Sequence, residues 1–177
     1  MHRIVVPSFF ALWLALAPQG ATAAGIPATY SPIVIEPAGV PARFEFNLSA
    51  ALGHARRENK RLYVYLGASD CPYCRKYETF LEQNAKDLVP HFAAQYIVVD
   101  LRSALSVTAN KLFIRVGDRT LPYADFQRAI GDERARLLVY PSVWLFDADA
   151  KPLMQMPAGT GTFQTVPEQL EILRLEQ

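Results

Sequence analysis

The sequence predicts an α/β fold, with helices packed on a sheet that carries both parallel and antiparallel strands. Three observations predict it. Two apolar runs, Arg61-Leu62-Tyr63-Val64-Tyr65-Leu66 and Gln95-Tyr96-Ile97-Val98-Val99-Asp100, flank a helical segment, so strand, helix and strand alternate as in a parallel βαβ unit. Two later runs, Leu137 to Phe146 and Leu153-Met154-Gln155-Met156, are separated by the polar turn Asp147 to Pro152, a hairpin signature. Finally, 51% apolar composition over 177 residues, with no low-complexity tract, suits a single globular core.

At the start, Met1-His2-Arg3 is basic and leads into an apolar stretch over residues 4–17, shorter than the about 20 residues that span a bilayer. Pro18-Gln19-Gly20 breaks it and Ala21-Thr22-Ala23 supplies a small-x-small cleavage site, so residues 1–23 read as a secretory signal peptide. An uncleaved anchor is the alternative, and the lack of a cysteine at the cleavage site argues against a lipoprotein. Residues 24–43 hold Pro27, Pro32, Pro37 and Pro41 and read as an extended leader, with room for a short strand at Ile33-Val34-Ile35.

The globular domain then covers 44–177. Ser49 can cap a helix over 50–59 that puts Leu48, Leu52 and Ala55 on one face and closes at Asn59-Lys60. The strand over 61–66 is rich in β-branched and aromatic residues, Gly67 to Asp70 make a loop, and a helix runs from Cys71 to about Lys86. After the strand at 95–100, residues 102–120 read as an insertion, with Lys111 to Val116 a candidate extra strand. Thr120 and Pro122 fit a helix start, followed by Phe126 and Ile130 at helical spacing and Gly131 as a stop. Beyond the hairpin and Gly159-Thr160-Gly161, a closing helix is expected from Pro167 to Gln177.

Basic and acidic residues number 18 and 17 and are interspersed, for a net charge of +1. Such a balance gives no electrostatic footprint for nucleic acid or an anionic membrane surface, and points to proteins or small thiols as partners.

The chemistry sits in Cys71-Pro72-Tyr73-Cys74, which holds both cysteines of the chain. In a helix, positions i and i+3 share a face about one turn apart, near enough for two sulfurs to bond. Pro72 tolerates an early helical position because its missing N–H costs nothing there. Cys71 then lies at the helix N-terminus, where unpaired amides and the helix dipole favour the thiolate that attacks disulfides. An inert structural staple is the plainer reading, but the closed loop is too short for the bond to add much stability. A zinc site would need further ligands, and His54 and His91 stand at no finger-like spacing from the cysteines, so no metal is expected.

A strand ending in Gly67-Ala68-Ser69, a helix opened by this motif, and a hairpin preceded by Tyr140-Pro141 together resemble the thioredoxin superfamily. The likeness covers nearly all of the chain after the signal peptide. It is nearest to exported bacterial members, in which a leading helix ends in Glu-Asn-Lys, here Glu58-Asn59-Lys60. The resemblance implies a three-layer, thioredoxin-like fold, a central mixed sheet with helices on both faces. It also implies a cis Tyr140–Pro141 bond beside the dithiol, with the Tyr140 backbone open to a substrate strand. Tyr73 is expected at the same groove, with packing as its alternative role.

Departures from the family pattern qualify the likeness. Asp70 stands where an aromatic residue usually precedes the first cysteine, and its carboxylate should oppose the Cys71 thiolate; a helix-capping role is the alternative. In thioredoxin a buried acid lies on the preceding strand beneath the second cysteine, and the matching position here is Tyr65. Water, or a carboxylate such as Glu78, would have to move the proton off Cys74. Pro72-Tyr73 matches glutaredoxins, but no Gly-Gly pair follows Pro141 to receive glutathione.

The resulting expectation is a periplasmic or secreted thiol–disulfide oxidoreductase, a monomer with no cofactor beyond the redox-active disulfide Cys71–Cys74. Cys71 attacks, Cys74 resolves, Tyr73, Tyr140 and Pro141 receive client proteins, and Pro72 and Asp70 modulate the dithiol. Because thiolate stabilisation makes an oxidant, Asp70 favours a reductase or interchange role fed by a membrane electron donor. The competing expectation is a redox-inert binding or maturation module that keeps the fold for peptide docking.

Overall fold

Every residue from Leu62 to Ala68 is buried, so strand β3 (Arg61–Ala68) has core on both faces and must lie inside a sheet. Leu62, Val64 and Leu66 point into one core and Tyr63 and Tyr65 into the other. A computed structural model describes residues 25–39, 42–131, 137–156 and 165–174. The signal peptide read over 1–23, the Gly159-Thr160-Gly161 segment and the last residues of the closing helix lie outside the described residues.

Around β3, strands β1 (Ile33–Ile35), β4 (Tyr96–Ser103), β7 (Ser142–Phe146) and β8 (Pro152–Met156) complete a five-stranded sheet in the order β1-β4-β3-β7-β8. The β3–β4 and β1–β4 pairs are parallel, while β7 runs antiparallel to both β3 and β8. The sheet is therefore mixed. Helices α1 (Ser49–Glu58) and α4 (Tyr123–Ala129) cover one face, with Leu52, Ala55 and Phe126 in the same core as Val64 and Trp144. Helices α2 (Pro72–Gln83), α3 (Ala85–Gln95) and α5 (Val166–Arg174) cover the other, where Leu81, Leu88, Phe92 and Leu173 meet Tyr63 and Tyr65. This is the three-layer, thioredoxin-like arrangement.

A second sheet belongs to the first face. Strand β2 (Phe44–Asn47) runs parallel to β5 (Leu112–Val116), which turns at Gly117 and pairs antiparallel with β6 (Arg119–Pro122). Phe46, Leu112 and Ile114 are buried against the main core. Residues 102–120 thus contribute the end of β4, a one-turn 3-10 helix at Ala109–Lys111 and two strands of this small sheet.

Four local differences from the sequence expectations have physical causes. The helix expected to Lys86 stops at Gln83, because Asn84 turns both its backbone N–H and its side-chain amide onto the Phe80 carbonyl. Helix α3 follows although Pro90 lies inside it; burial of Leu88 and Phe92 outweighs the lost hydrogen bond. Residues 137–141 do not join the strand, since Pro141 has no N–H to give a ladder and β7 begins only at Ser142. Ser49 is the first helical residue of α1 rather than its cap, and the Asn47 side chain accepts the Ser49 N–H at 2.9 Å.

Candidate active site

The site is built where β3 ends and α2 begins. Past Ala68 the chain makes a tight turn, closed by the Cys71 N–H on the Ala68 carbonyl at 3.1 Å. Cys71 keeps extended backbone angles, φ −94° and ψ 116°, as the N-cap of α2, with Pro72 behind it in the first turn. Helix N-termini leave amides without intrahelical acceptors. Here the Cys71 sulfur takes one of them, the Cys74 N–H, at 3.2 Å. Cys74 Sγ in turn lies 3.5 Å from the Ala68 N–H. Both cysteines stand as thiols, Cys71 2% exposed and Cys74 fully buried.

The remaining sequence-chosen residues surround this dithiol. The Tyr140–Pro141 bond is cis, Pro141 is buried, and the Cys71 thiol points at the Tyr140 carbonyl 3.8 Å away. The Tyr140 side chain packs on Ala68, Cys71 and Cys74, and its hydroxyl meets Ser103 Oγ at 2.9 Å. Burial pushes that hydroxyl up to about 12. Tyr73 projects from the first turn of α2 and is 55% exposed. Leu105 is another exposed apolar residue, on a loop tied to the site by the Leu105 N–H on Asp70 Oδ1 at 2.7 Å and the Ser69 N–H on the Ser103 carbonyl at 2.9 Å. Asp70 therefore braces a neighbouring loop, and the cap on α2 is Cys71 itself.

Sequence reasoning missed the Tyr140 ring as a cover over the sulfurs and Ser103 as its anchor. No local signal pairs two residues 37 positions apart.

Beneath the dithiol lies a buried polar layer. Burial pushes the Cys74 thiol up to about 12, against the pull of the Ala68 N–H and the Tyr65 hydroxyl. The Tyr65 hydroxyl donates to Glu78 Oε1 at 2.8 Å, and Arg75 Nη2 reaches the same oxygen at 2.6 Å. Burial raises the Glu78 carboxyl despite these partners. Asp100, 1% exposed, accepts from the Ile26 N–H and from Arg102 Nε, each at 3.1 Å, through Oδ2 alone. Its Oδ1 is buried with no hydrogen-bond partner among the described residues.

Desolvation dominates at Asp100 and raises its carboxyl above the ordinary aspartate value. A carboxyl raised by folding stabilises the protein below its unfolded value, and that contribution is lost as pH climbs through the raised value. Asp100→Asn is therefore expected to increase the melting temperature at pH 7, with the advantage shrinking towards pH 4. Thermal unfolding of both proteins across that range checks it; a lower melting temperature for the variant at pH 7 would contradict the assignment.

Among the described residues, no group of three or more His, Cys, Asp or Glu side chains is placed to hold a metal ion, and no helix is long and apolar enough to cross a membrane. Residues 48–171 match the family model of the thioredoxin-like domain. No curated protein matches the chain. Among solved structures, the chain is similar to a thioredoxin-fold protein from Helicobacter pylori, at 16% identity over 66% of this chain and 68% of that one, with a TM-score of 0.44. It is also similar to the pneumococcal exposed lipoprotein thioredoxin from Streptococcus pneumoniae strain TIGR4, at 17% identity over 70% of this chain and 88% of that one, with a TM-score of 0.39.

Proposed function

Because the chain belongs to the thioredoxin-like domain family, whose general chemistry is thiol–disulfide exchange, we propose that it is an exported oxidoreductase that reduces or rearranges disulfides of client proteins. One observation carries the reading: the Cys71 sulfur caps α2 on the Cys74 N–H at 3.2 Å while lying beside the Tyr140 carbonyl at 3.8 Å. Both reacting sulfurs thus sit at one helix start, next to backbone that can receive an extended peptide.

In the first step the Cys71 thiolate attacks a client disulfide and one client sulfur leaves. Cys74 then attacks Cys71, the Cys71–client bond breaks, and the client departs reduced while Cys71–Cys74 becomes the disulfide. Tyr73 and the Tyr140-Pro141 segment flank the incoming chain. Export is supported by the signal-like residues 1–23, and a membrane donor would return electrons to the dithiol. The acidic Asp70 next to Cys71 favours the reducing or interchange direction.

The near-complete burial of both sulfurs favours one rival, a redox-inert docking module. Insulin reduction in the presence of a small dithiol separates the two. The parent is expected to precipitate the insulin B chain catalytically, and Cys71→Ser to fall to the uncatalysed rate. Equal, background rates for both would support the module and end the oxidoreductase reading.

A further inference from the structure

We infer that Tyr140 and Ser103 set the substrate class of the dithiol: the Tyr140 ring, latched through its hydroxyl to Ser103 Oγ, holds off small disulfides and yields to the disulfide of an extended polypeptide. The inference rests on the oxidoreductase reading and adds what that site selects.

The nucleophile is not free to come out to a substrate. Cys71 is 2% exposed, its N–H is held on the Ala68 carbonyl at 3.1 Å, and its sulfur is held on the Cys74 N–H at 3.2 Å. Those two anchors belong to β3 and α2, elements fixed by their own ladders. Thiol–disulfide exchange depends on access to the attacking sulfur, so a covering group has to move instead. That group is the Tyr140 ring, which packs on Ala68, Cys71 and Cys74. Tyr140 lies in residues 137–141, outside the helices and strands, and its ring can swing away by a change of rotamer.

Ser103 is the fixed half of the latch. It ends β4 opposite Ala68 of β3, and its carbonyl accepts the Ser69 N–H at 2.9 Å. Its hydroxyl is left to reach across the site, where it meets the Tyr140 hydroxyl at 2.9 Å. Opening forfeits that bond and the packing of the ring, so a substrate that supplies nothing in return reacts slowly.

An extended polypeptide supplies a return. Its backbone presents N–H and C=O groups at successive residues, partners for the two freed hydroxyls and for the Tyr140 carbonyl. Tyr73, 55% exposed, and Leu105, 50% exposed, offer apolar surface beside the dithiol that only a chain of several residues can cover. Asp70 keeps Leu105 there through the Leu105 N–H at 2.7 Å. A small disulfide without peptide groups makes neither kind of contact.

The chemistry is the same for both substrates, and selection acts on the approach. The Cys71 thiolate attacks one substrate sulfur, the substrate S–S bond breaks, and the other sulfur leaves with the electron pair. Cys74 then attacks Cys71, the Cys71–Cys74 bond forms, and the second substrate sulfur leaves. The dithiol is oxidised, the substrate disulfide is reduced, and the protons of the dithiol pass through solvent to the released thiolates.

The test reacts the reduced protein with insulin and, separately, with bis(2-hydroxyethyl) disulfide, which has no peptide group, and follows the loss of protein thiols. The parent is expected to favour insulin. Ser103→Ala and Tyr140→Phe each remove one half of the latch, and each should lower the ratio of the insulin rate to the small-disulfide rate about fivefold, the worth of one hydrogen bond. The change should come chiefly from a faster reaction with the small disulfide. Ser103→Thr keeps the hydroxyl and should keep the parent ratio, a rescue that general loosening of the fold would not produce. A ratio equal in the parent, Ser103→Ala and Tyr140→Phe would overturn the latch and leave the oxidoreductase reading standing. A parent that reacts with neither disulfide would overturn both.

Discussion

In Cys74→Ser, client proteins attacked by Cys71 are expected to remain covalently attached, and turnover to stop. In the proposed reaction the parent would release them by an intramolecular attack, because the two sulfurs share the start of α2 with the Cys74 N–H 3.2 Å from Cys71 Sγ. Well-oriented intramolecular reactions reach effective molarities of about 10⁵ M or more, whereas an outside thiol acts at millimolar concentration. Serine is too weak a nucleophile to substitute, so the adduct should persist several orders of magnitude longer. Its neighbours Ala68, Cys71 and Tyr140 should accommodate the near-isosteric exchange. Non-reducing electrophoresis should show complexes that disappear with a reducing agent and are absent from Cys71→Ser. Complexes that survive loss of Cys71 would contradict the roles given to the two sulfurs.

The largest stability loss is expected at Trp144. It is fully buried at the centre of β7, opposite Val64 of β3, with Phe126 of α4 edge-on at 5.3 Å. Trp144→Ala removes the ring that packs against Phe126 of α4 and leaves a cavity in this core, at a cost of about 3–5 kcal/mol. Domains of this size are stable by about 5–15 kcal/mol, so the variant should be close to unfolding at physiological temperature. The Trp144 indole N–H has no acceptor among the described residues. Trp144→Phe keeps a ring and removes that unpaired donor, and should cost clearly less. Urea denaturation of the three proteins gives the order directly; equal midpoints for parent and Trp144→Ala would show that this side chain is not central to the core.

What could be read in the sequence was what depends on neighbours along the chain. Strand β3, the start of α2, and the β7–β8 hairpin each carry a strong local pattern, and the dithiol comes with its own spacing. Helix α3 was hidden because Pro90 signals a break, and only the packing of Leu88 and Phe92 against distant tyrosines overrides it. Strands β2 and β6 are four residues each, too short for alternation to show, and β2 pairs with β5 across the intervening α1, β3, α2, α3 and β4. The site divides in the same way. Cys71 and Cys74 lie three positions apart in sequence, whereas the cover made by Tyr140 and Ser103 and the contact of Tyr65 with Glu78 exist only after folding. At Tyr65 the sequence registered a missing acid and offered Glu78 of the next helix as one stand-in, but the hydrogen bond that joins the two exists only after folding.

In the proposed reaction the Cys71 sulfur has two duties, since the atom that would strike the client is also the one that accepts the Cys74 amide at the opening of α2. Bound to a client, that atom would be a poorer acceptor, and the opening turn is expected to slacken. Slackness at that moment would be useful: Cys74, no longer held through its own amide, would gain the reach to swing onto its partner and cut the client free.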